Sequence, residues 1–390
     1  MSQHFDELET RSEDARVAAQ LTGLNAQLAQ NGLDPVDDLA DLAALPVLRK
    51  ADLSAKQKAA APFGGLPVNN VAHYFQSPGP IYEPGGNSHD WWRIGRAMYA
   101  TGIRRDDIVQ NCFSYHLTPA GMMFESGARA IGCAVLPAGT GQTELQAQAA
   151  HDIGVTAYAG TPDYLKLILD KMEEMGLRSK ITKATVGGGA LFPSLRQEYA
   201  DRGIFCLQGY GTADLGSIAY ETPALEGMIV DEGVIVEIVT PGTGDPVKPG
   251  EVGEVVVTTL NPDYPLVRFA TGDLSAVMEG TSPCGRTNMR IKGWMGRADQ
   301  TAKIKGMFVR PEQVAALVAK HDEIIKARVI AGRDGEMDTM TVQIEAEGGD
   351  SAAFAGTVVD VLKLKAKIEI VAPGSLPNDG KVIEDTRSYD

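Results

Sequence analysis

Between residues 88 and 205, short apolar strand-like runs alternate with amphipathic helical segments, and this rhythm restricts the fold more than any other feature of the chain. Strands that alternate with helices are the signature of an α/β layer built on a largely parallel sheet. Residues 133–136 and 155–158 read as two such strands. One helix is fully punctuated: Thr161 fits the N-cap, Pro162 the first turn and Gly176 the stop. Between them Leu165, Ile168, Leu169 and Met172 fall on one face. Upstream, residues 1–60 read as helical and polar, interrupted at Pro35, Pro46 and Pro62. Residues 71–87 are rich in Pro and Gly and are expected to be irregular.

The texture changes after Glu221. Residues 234–239 and 254–259 read as strands separated by the turn-rich Pro241-Gly242-Thr243-Gly244 and Pro249-Gly250, a smaller β-rich subdomain. From about residue 297 the pattern is a compact α+β unit. A strand at Phe308-Val309 leads to Pro311 and a helix through His321; strands at 327–330 and 341–345 and a helix over 351–364 follow. The expected fold is therefore α/β, with mixed, mostly parallel sheets in a large N-terminal domain (residues 1–296, β-rich over about 222–296). A small α+β C-terminal domain (297–390) completes it. No internal repeat or low-complexity tract interrupts this plan.

Composition excludes several classes of function. Of the 390 residues, 44% are hydrophobic, enough for more than one buried core. The formal net charge of −15 argues against a nucleic-acid or anionic-membrane binder, while leaving room for a local basic pocket. No apolar run approaches the roughly 20 residues needed to span a bilayer. The polar, acidic N-terminus does not read as a targeting signal. Cys112, Cys133, Cys206 and Cys284 lack metal-binding spacing and read as reduced thiols, which places the chain in the cytoplasm.

Several segments carry residue types suited to chemistry. Gly187-Gly188-Gly189-Ala190 and Gly209-Tyr210-Gly211-Thr212-Ala213-Asp214 each follow a strand-like run, where open α/β sheets bind ligands. Glycines let the backbone approach a flat ligand closely. A tyrosine between glycines can stack on a purine, and Asp214 could hold a hard cation such as Mg2+. Asp273, in Ala270-Thr271-Gly272-Asp273-Leu274, could accept bonds from vicinal hydroxyls. Gly296-Arg297-Ala298-Asp299 opens an unusually charged linker that runs to Gly306. Lys381 ends the polar loop Pro377-Asn378-Asp379-Gly380. Taken singly, each has an ordinary explanation as a glycine turn, an Asx turn or a solvated charge.

Their order is more specific. A Gly-rich turn, then YGTAD, ATGDL, GRADQTAKIKG and GSLPNDGK, resembles the adenylate-forming superfamily of acyl-CoA synthetases, and within it the phenylacetate–CoA ligase family. Leu45-Pro46-Val47-Leu48-Arg49-Lys50-Ala51-Asp52-Leu53 is similar to an early segment of that family, and residues 112–121 to its aromatic acyl-pocket segment. The resemblance implies ATP/AMP, Mg2+ and CoA as cofactors. It implies that Gly188, Gly189, Ala190 and Tyr210 frame adenine, with Gly211 and Thr212 also binding the nucleotide. Asp214 stands at the Mg2+-associated position, Asp273 with Arg297 at the ribose, and Asp299 at a hinge. Gly306 lies on the CoA-side loop, and Lys381 serves as the catalytic lysine of a mobile lid. Phe113, Tyr115 and His116 are expected in the acyl pocket, and a homodimer is the family-level expectation.

One segment departs from the pattern. The family's phosphate loop reads roughly S-S-G-T-T-G-K-P; here it is Ser77-Pro78-Gly79-Pro80-Ile81-Tyr82-Glu83-Pro84. Two prolines remove N–H donors, and Glu83 replaces the lysine. An ionised Glu83 about 5 Å from a phosphate costs roughly 3 kcal/mol at an effective dielectric of about 20. Of the cysteines that bind structural zinc in some relatives only Cys284 is present, so no zinc is expected. Three readings follow. The first is an acyl-CoA ligase that activates an aromatic or small organic carboxylate as acyl-AMP and passes it to CoA. The second is ATP-independent acyl transfer from acyl-adenylate or acyl-CoA on the same scaffold. The third is a non-catalytic protein that binds nucleotide or CoA.

Overall fold

The computed structural model describes residues 3–77, 81–189, 191–300, 302–305, 307–334, 337–348, 351–377 and 381–387. Helix α1 (Glu13–Gln30) starts at Ser12, whose hydroxyl accepts the Ala15 amide, and carries Glu13 and Asp14 in its first turn, where the helix dipole favours them. Leu24 and Leu28 are fully buried, and Arg16 binds Glu232 at 3.1 Å. A two-residue strand β1 (Leu48–Arg49) follows, then α2 (Lys50–Ala59).

The Pro/Gly-rich stretch corrects the expectation of irregular structure. Strands β2 (His73–Ser77) and β3 (Ile81–Gly85) form an antiparallel pair in which Phe75 faces Glu83 and Ser77 faces Ile81. Pro78 and Pro80 fall in the connection, outside the described residues. Pro84 is tolerated because a two-stranded ribbon has open edges that need no N–H. Alternation puts Phe75, Ser77, Ile81 and Glu83 on the buried face and Tyr74 and Tyr82 outside.

The expected βαβ rhythm is present. Elements α3 (Gly95–Ala100), β4 (Ile108–Asn111), α4 (Ala120–Ile131), β5 (Ala134–Pro137) and α5 (Thr143–Ile153) lead to β6 (Ala157–Gly160) and α6 (Pro162–Glu174). Then come β7 (Lys183–Val186), α7 (Pro193–Asp201) and β8 (Phe205–Thr212). Strands β5, β4, β6, β7 and β8 pair in parallel in that spatial order. The sheet turns antiparallel at β9 (Gly216–Glu221) and continues through β10 (Met228–Val230). Strands β11 (Val234–Val239), β12 (Gly253–Thr259) and β13 (Phe269–Ser275) build a separate sheet in the order β1-β13-β12-β11. The parallel pairing of β1 with residues 269–270 fixes where α2 begins. Strands β14 (Val277–Met278) and β15 (Arg290–Ile291) rejoin the first sheet, which has nine strands among the described residues.

The chain divides into two compact units, one of residues 1–271 and 276–293, the other of 272–275 and 294–390. The second contains β16 (Ala302–Ile304), β17 (Met307–Val309), α8 (Pro311–Val318), β18 (Ile324–Asp334) and β19 (Met337–Ala346). It closes with α9 (Ser351–Leu362), β20 (Lys367–Val371) and β21 (Ile383–Asp385). Its main sheet runs β20-β19-β18-β21, and Val329, Val342, Ile344, Phe354 and Leu362 form a core of its own. No helix among the described residues is long and apolar enough to cross a membrane.

Candidate active site

The carboxyl ends of β7 and β8 open onto a cavity of about 230 Å³ in the first unit. Its walls include Gly187 and Gly188 after β7, Gly209 to Ala213 at the end of β8, Ser77 of the hairpin, and Phe113, Met123 and Phe124. The glycines are needed here. Gly188 sits at φ +69°, a left-handed conformation that a side chain resists. At Gly211 the register shifts, and a side chain there would run into the Gly216 carbonyl. Tyr210 is buried, and its hydroxyl donates to Thr271 Oγ1 at 3.2 Å. Phe113 and Phe124 stack with centroids 4.2 Å apart, giving the cavity a flat apolar end.

The expected acyl-pocket residues separate. Phe113 lines this cavity. Tyr115 lines a different, polar cavity with Glu125 and Arg129. Its hydroxyl accepts from Asn111 Nδ2 at 2.8 Å, and burial, followed by the Glu125 carboxylate, raises its pKa. His116 is exposed, its amide bonded to Ser114 Oγ at 3.2 Å. Helix α4 divides the same way: Met123 and Phe124 face one cavity, Met122, Glu125 and Ser126 the other.

The charged residues form a set that the sequence revealed only in part. Asp214 lies in the β8–β9 turn with its side chain fully shielded, and Lys50 Nζ meets its Oδ2 at 2.7 Å. Its Oδ1 has no hydrogen-bond partner among the described residues. Glu83 has no solvent exposure; it accepts the Ser77 amide at 3.2 Å and the Ser77 hydroxyl. Burial first, then the charge of Asp214, raises its pKa to about 7. The full like-charge penalty expected at this position assumed an ionised group facing a ligand. Strand alternation instead turns Glu83 inward, where it is only partly ionised at neutral pH.

Lys50 was visible in the sequence as part of the early segment, but nothing there tied it to Asp214. Gln57, one of the last residues of α2, binds the Tyr82 peptide on both sides, through Nε2 to its carbonyl at 2.7 Å and through Oε1 to its amide at 2.8 Å. One helix thus holds both the hairpin and the Asp214 turn.

In the second unit, Asp273 Oδ1 accepts from Arg297 Nη1 at 3.2 Å and from Trp294 Nε1 at 3.1 Å. Trp294 is a further residue that motif reading did not single out. Gly272, at φ +76°, leaves space that the Arg297 guanidinium fills. Asp299 falls in a short 3-10 turn (Ala298–Gln300). Lys381 is exposed and lies just before β21, where the neighbouring Val382 amide donates to Gln300 Oε1 at 2.7 Å. Gly79, Ala190 and Gly306 lie outside the described residues. Gly189 follows Gly188 in an exposed bend.

Known proteins place this architecture. A family model described as AMP-binding enzyme matches residues 90–261. Phenylacetate–coenzyme A ligase of Aromatoleum evansii is 31% identical over 331 residues, covering 80% of this chain and 74% of that protein. The Pseudomonas putida enzyme of the same name is 30% identical over 377 residues, with 87% and 84% covered. The chain belongs to the phenylacetate–CoA ligase-like family of adenylate-forming enzymes. Those relatives are coenzyme A ligases by name, and with the AMP-binding match they make the chain an AMP-forming acid–thiol ligase. The fold agrees: an open conformation of 2-hydroxyisobutyryl-CoA ligase, crystallised with 2-HIB-AMP and CoA, superposes with a TM-score of 0.81 at 22% identity. That match covers 99% of this chain and 95% of the crystallised one.

Proposed function

We propose that this member of the phenylacetate–CoA ligase-like family forms the CoA thioester of a flat, apolar carboxylic acid through an acyl-adenylate. The observation that carries this reading is the single cavity shared by the glycine turns, Tyr210 and the Phe113–Phe124 stack. Such a space suits a purine or acyl plane at its glycine walls and an apolar ring at its aromatic end. Gly188, Gly189, Ala190 and Tyr210 are assigned to the adenine, and Gly211 and Thr212 to the nucleotide. Asp273, oriented by Arg297 and Trp294, is assigned to the ribose hydroxyls.

Lys381 is assigned to the transition state of the adenylate step. There an ammonium offsets the charge that grows on the carboxylate and α-phosphate oxygens as they react. The C-terminal unit is assigned the role of lid, with Asp299 as hinge residue and Gly306 as a CoA-side residue; a lid separates the two half-reactions. Cytoplasmic location and a homodimer belong to the same family-level reading.

Magnesium does not fit Asp214 as the chain holds it. One oxygen is engaged by Lys50, and the other is sealed away from solvent. No group of three or more acidic, His or Cys side chains able to hold a metal occurs among the described residues. No step is therefore routed through the metal.

The test is acyl-CoA production from CoA and a panel of preformed acyl-adenylates of aromatic and small aliphatic acids, followed by mass spectrometry. Thioester formation with flat aromatic acids, and little with short aliphatic ones, is the expected result. A preference for short aliphatic acids would overturn the acyl-pocket assignment. The second reading, acyl transfer without ATP, is favoured by one observation, the occupation of Ser77 by Glu83.

A further inference from the structure

Ser77 ends β2 and is the first polar residue of the loop that the family likeness assigns to phosphate. Both of its donors are already used within the chain. Its amide reaches Glu83 Oε2 at 3.2 Å, and its hydroxyl donates to Glu83 Oε1. This is how a phosphate oxygen would be held, by a backbone N–H and a hydroxyl. Glu83 is fully buried on the same hairpin face as Phe75 and Ile81, so its carboxyl is built into the structure.

A second observation, on a different element, has the same character. Lys50 opens α2 and meets Asp214 at 2.7 Å. This ammonium takes the carboxylate that a nucleotide-bound metal ion would need. The anion's donors and the cation's acceptor are thus both satisfied by side chains.

We infer that the triphosphate half of the site is filled from within, Glu83 taking the donors of a phosphate and Lys50 the carboxylate of a metal ion, so that the chain selects acyl-adenylate and AMP against ATP. This rests on the ligase reading and deepens it. Glu83 is the specificity-determining residue, held by Ser77.

The reaction on this side of the pathway is balanced without pyrophosphate. The CoA thiol sulfur attacks the acyl carbon of the adenylate and a C–S bond forms. The C–O bond to the phosphate breaks, AMP leaves with the electron pair, and the thiol proton passes to solvent. The acyl-adenylate must then come from a separate ATP-consuming adenylation. Run backwards, acyl-CoA and AMP yield acyl-adenylate and free thiol.

Calorimetric titration of the full chain with AMP, and separately with ATP plus Mg2+, tests this in wild type, Glu83→Gln and Glu83→Lys. Wild type is expected to bind AMP at least about tenfold more tightly than ATP. Glu83→Lys is expected to tighten ATP about tenfold or more while moving AMP by less than about twofold, with Glu83→Gln shifting ATP the same way by less. Equal affinity of wild type for both nucleotides overturns the inference, as does an ATP-to-AMP ratio unmoved in the variants. Should Glu83→Lys lose its cooperative melt, Glu83→Gln decides. Folded wild type that binds neither nucleotide overturns the ligase reading itself, an outcome distinct from tight binding of both.

Discussion

Glu83 shows how one side chain changes a site's behaviour through its surroundings. Its folded pKa, about 7, stands above the ordinary 4.5. Between those values the folded chain holds more protons than the unfolded one, so stability falls as pH rises and levels off above about pH 7. The shift is worth on the order of 3 kcal/mol once complete. Glu83→Gln is therefore expected to melt close to wild type near pH 4.5 and several degrees above it at pH 8. Equal melting at both pH values would show that the carboxyl is not held as described. Lys381→Ala is expected to slow acyl-adenylate chemistry by about a hundredfold or more. AMP affinity should stay unchanged in that variant, measured by titration. A sequence displays which residue has replaced which, but not that strand alternation turns the replacement inward, onto the donors of Ser77. That direction depends on a hairpin hidden in a run of prolines and glycines.

At the scale of elements, helix α6 was legible from end to end. Pro162 opens it, Gly176 follows it at φ +69°, and Leu165, Ile168, Leu169 and Met172 are its buried face. Local signals and tertiary burial agree there, so pattern alone sufficed. The hairpin β2–β3 was not legible, because its stability comes from long-range partners. Gln57 satisfies both the N–H and the C=O of Tyr82, and the Gln76 amide donates to Leu117 O at 2.8 Å. Gln57→Ala leaves a peptide without its partners at a cost of about 1–3 kcal/mol. Hydrogen exchange at the Tyr82 amide is expected to accelerate roughly tenfold or more in this variant, with α6 amides unaffected. Uniform acceleration across the chain would point to global destabilisation instead. Helix α4 gives the complementary lesson. Its motif was recognised, but only a period of 3.6 residues sorts Phe124 and Glu125 into different cavities.

At the scale of the whole molecule, the two units have separate cores. Trp92, Phe124 and Phe269 belong to one cluster, and Val329, Val342 and Phe354 to another. Units with independent cores need not melt together. Differential scanning calorimetry is expected to resolve two transitions, and Phe354→Ala to lower only one of them. A single transition that moves as a whole would show the units to be energetically fused. The change of texture along the sequence raises the expectation of a separate α+β unit in the tail. It could not show that residues 272–275, deep in a strand of the β-rich part, group with that tail. Such an assignment depends on spatial neighbours, which no run of residues displays.

Helix α2 is ten residues long, with a grip at each end. Its first residue grasps Asp214, and its eighth straps the outer hairpin strand. A rigid rod anchored this way transmits movement. Anything that lures the leading ammonium away tugs on the ribbon behind it, so a visitor at the aspartate would announce itself at Tyr82.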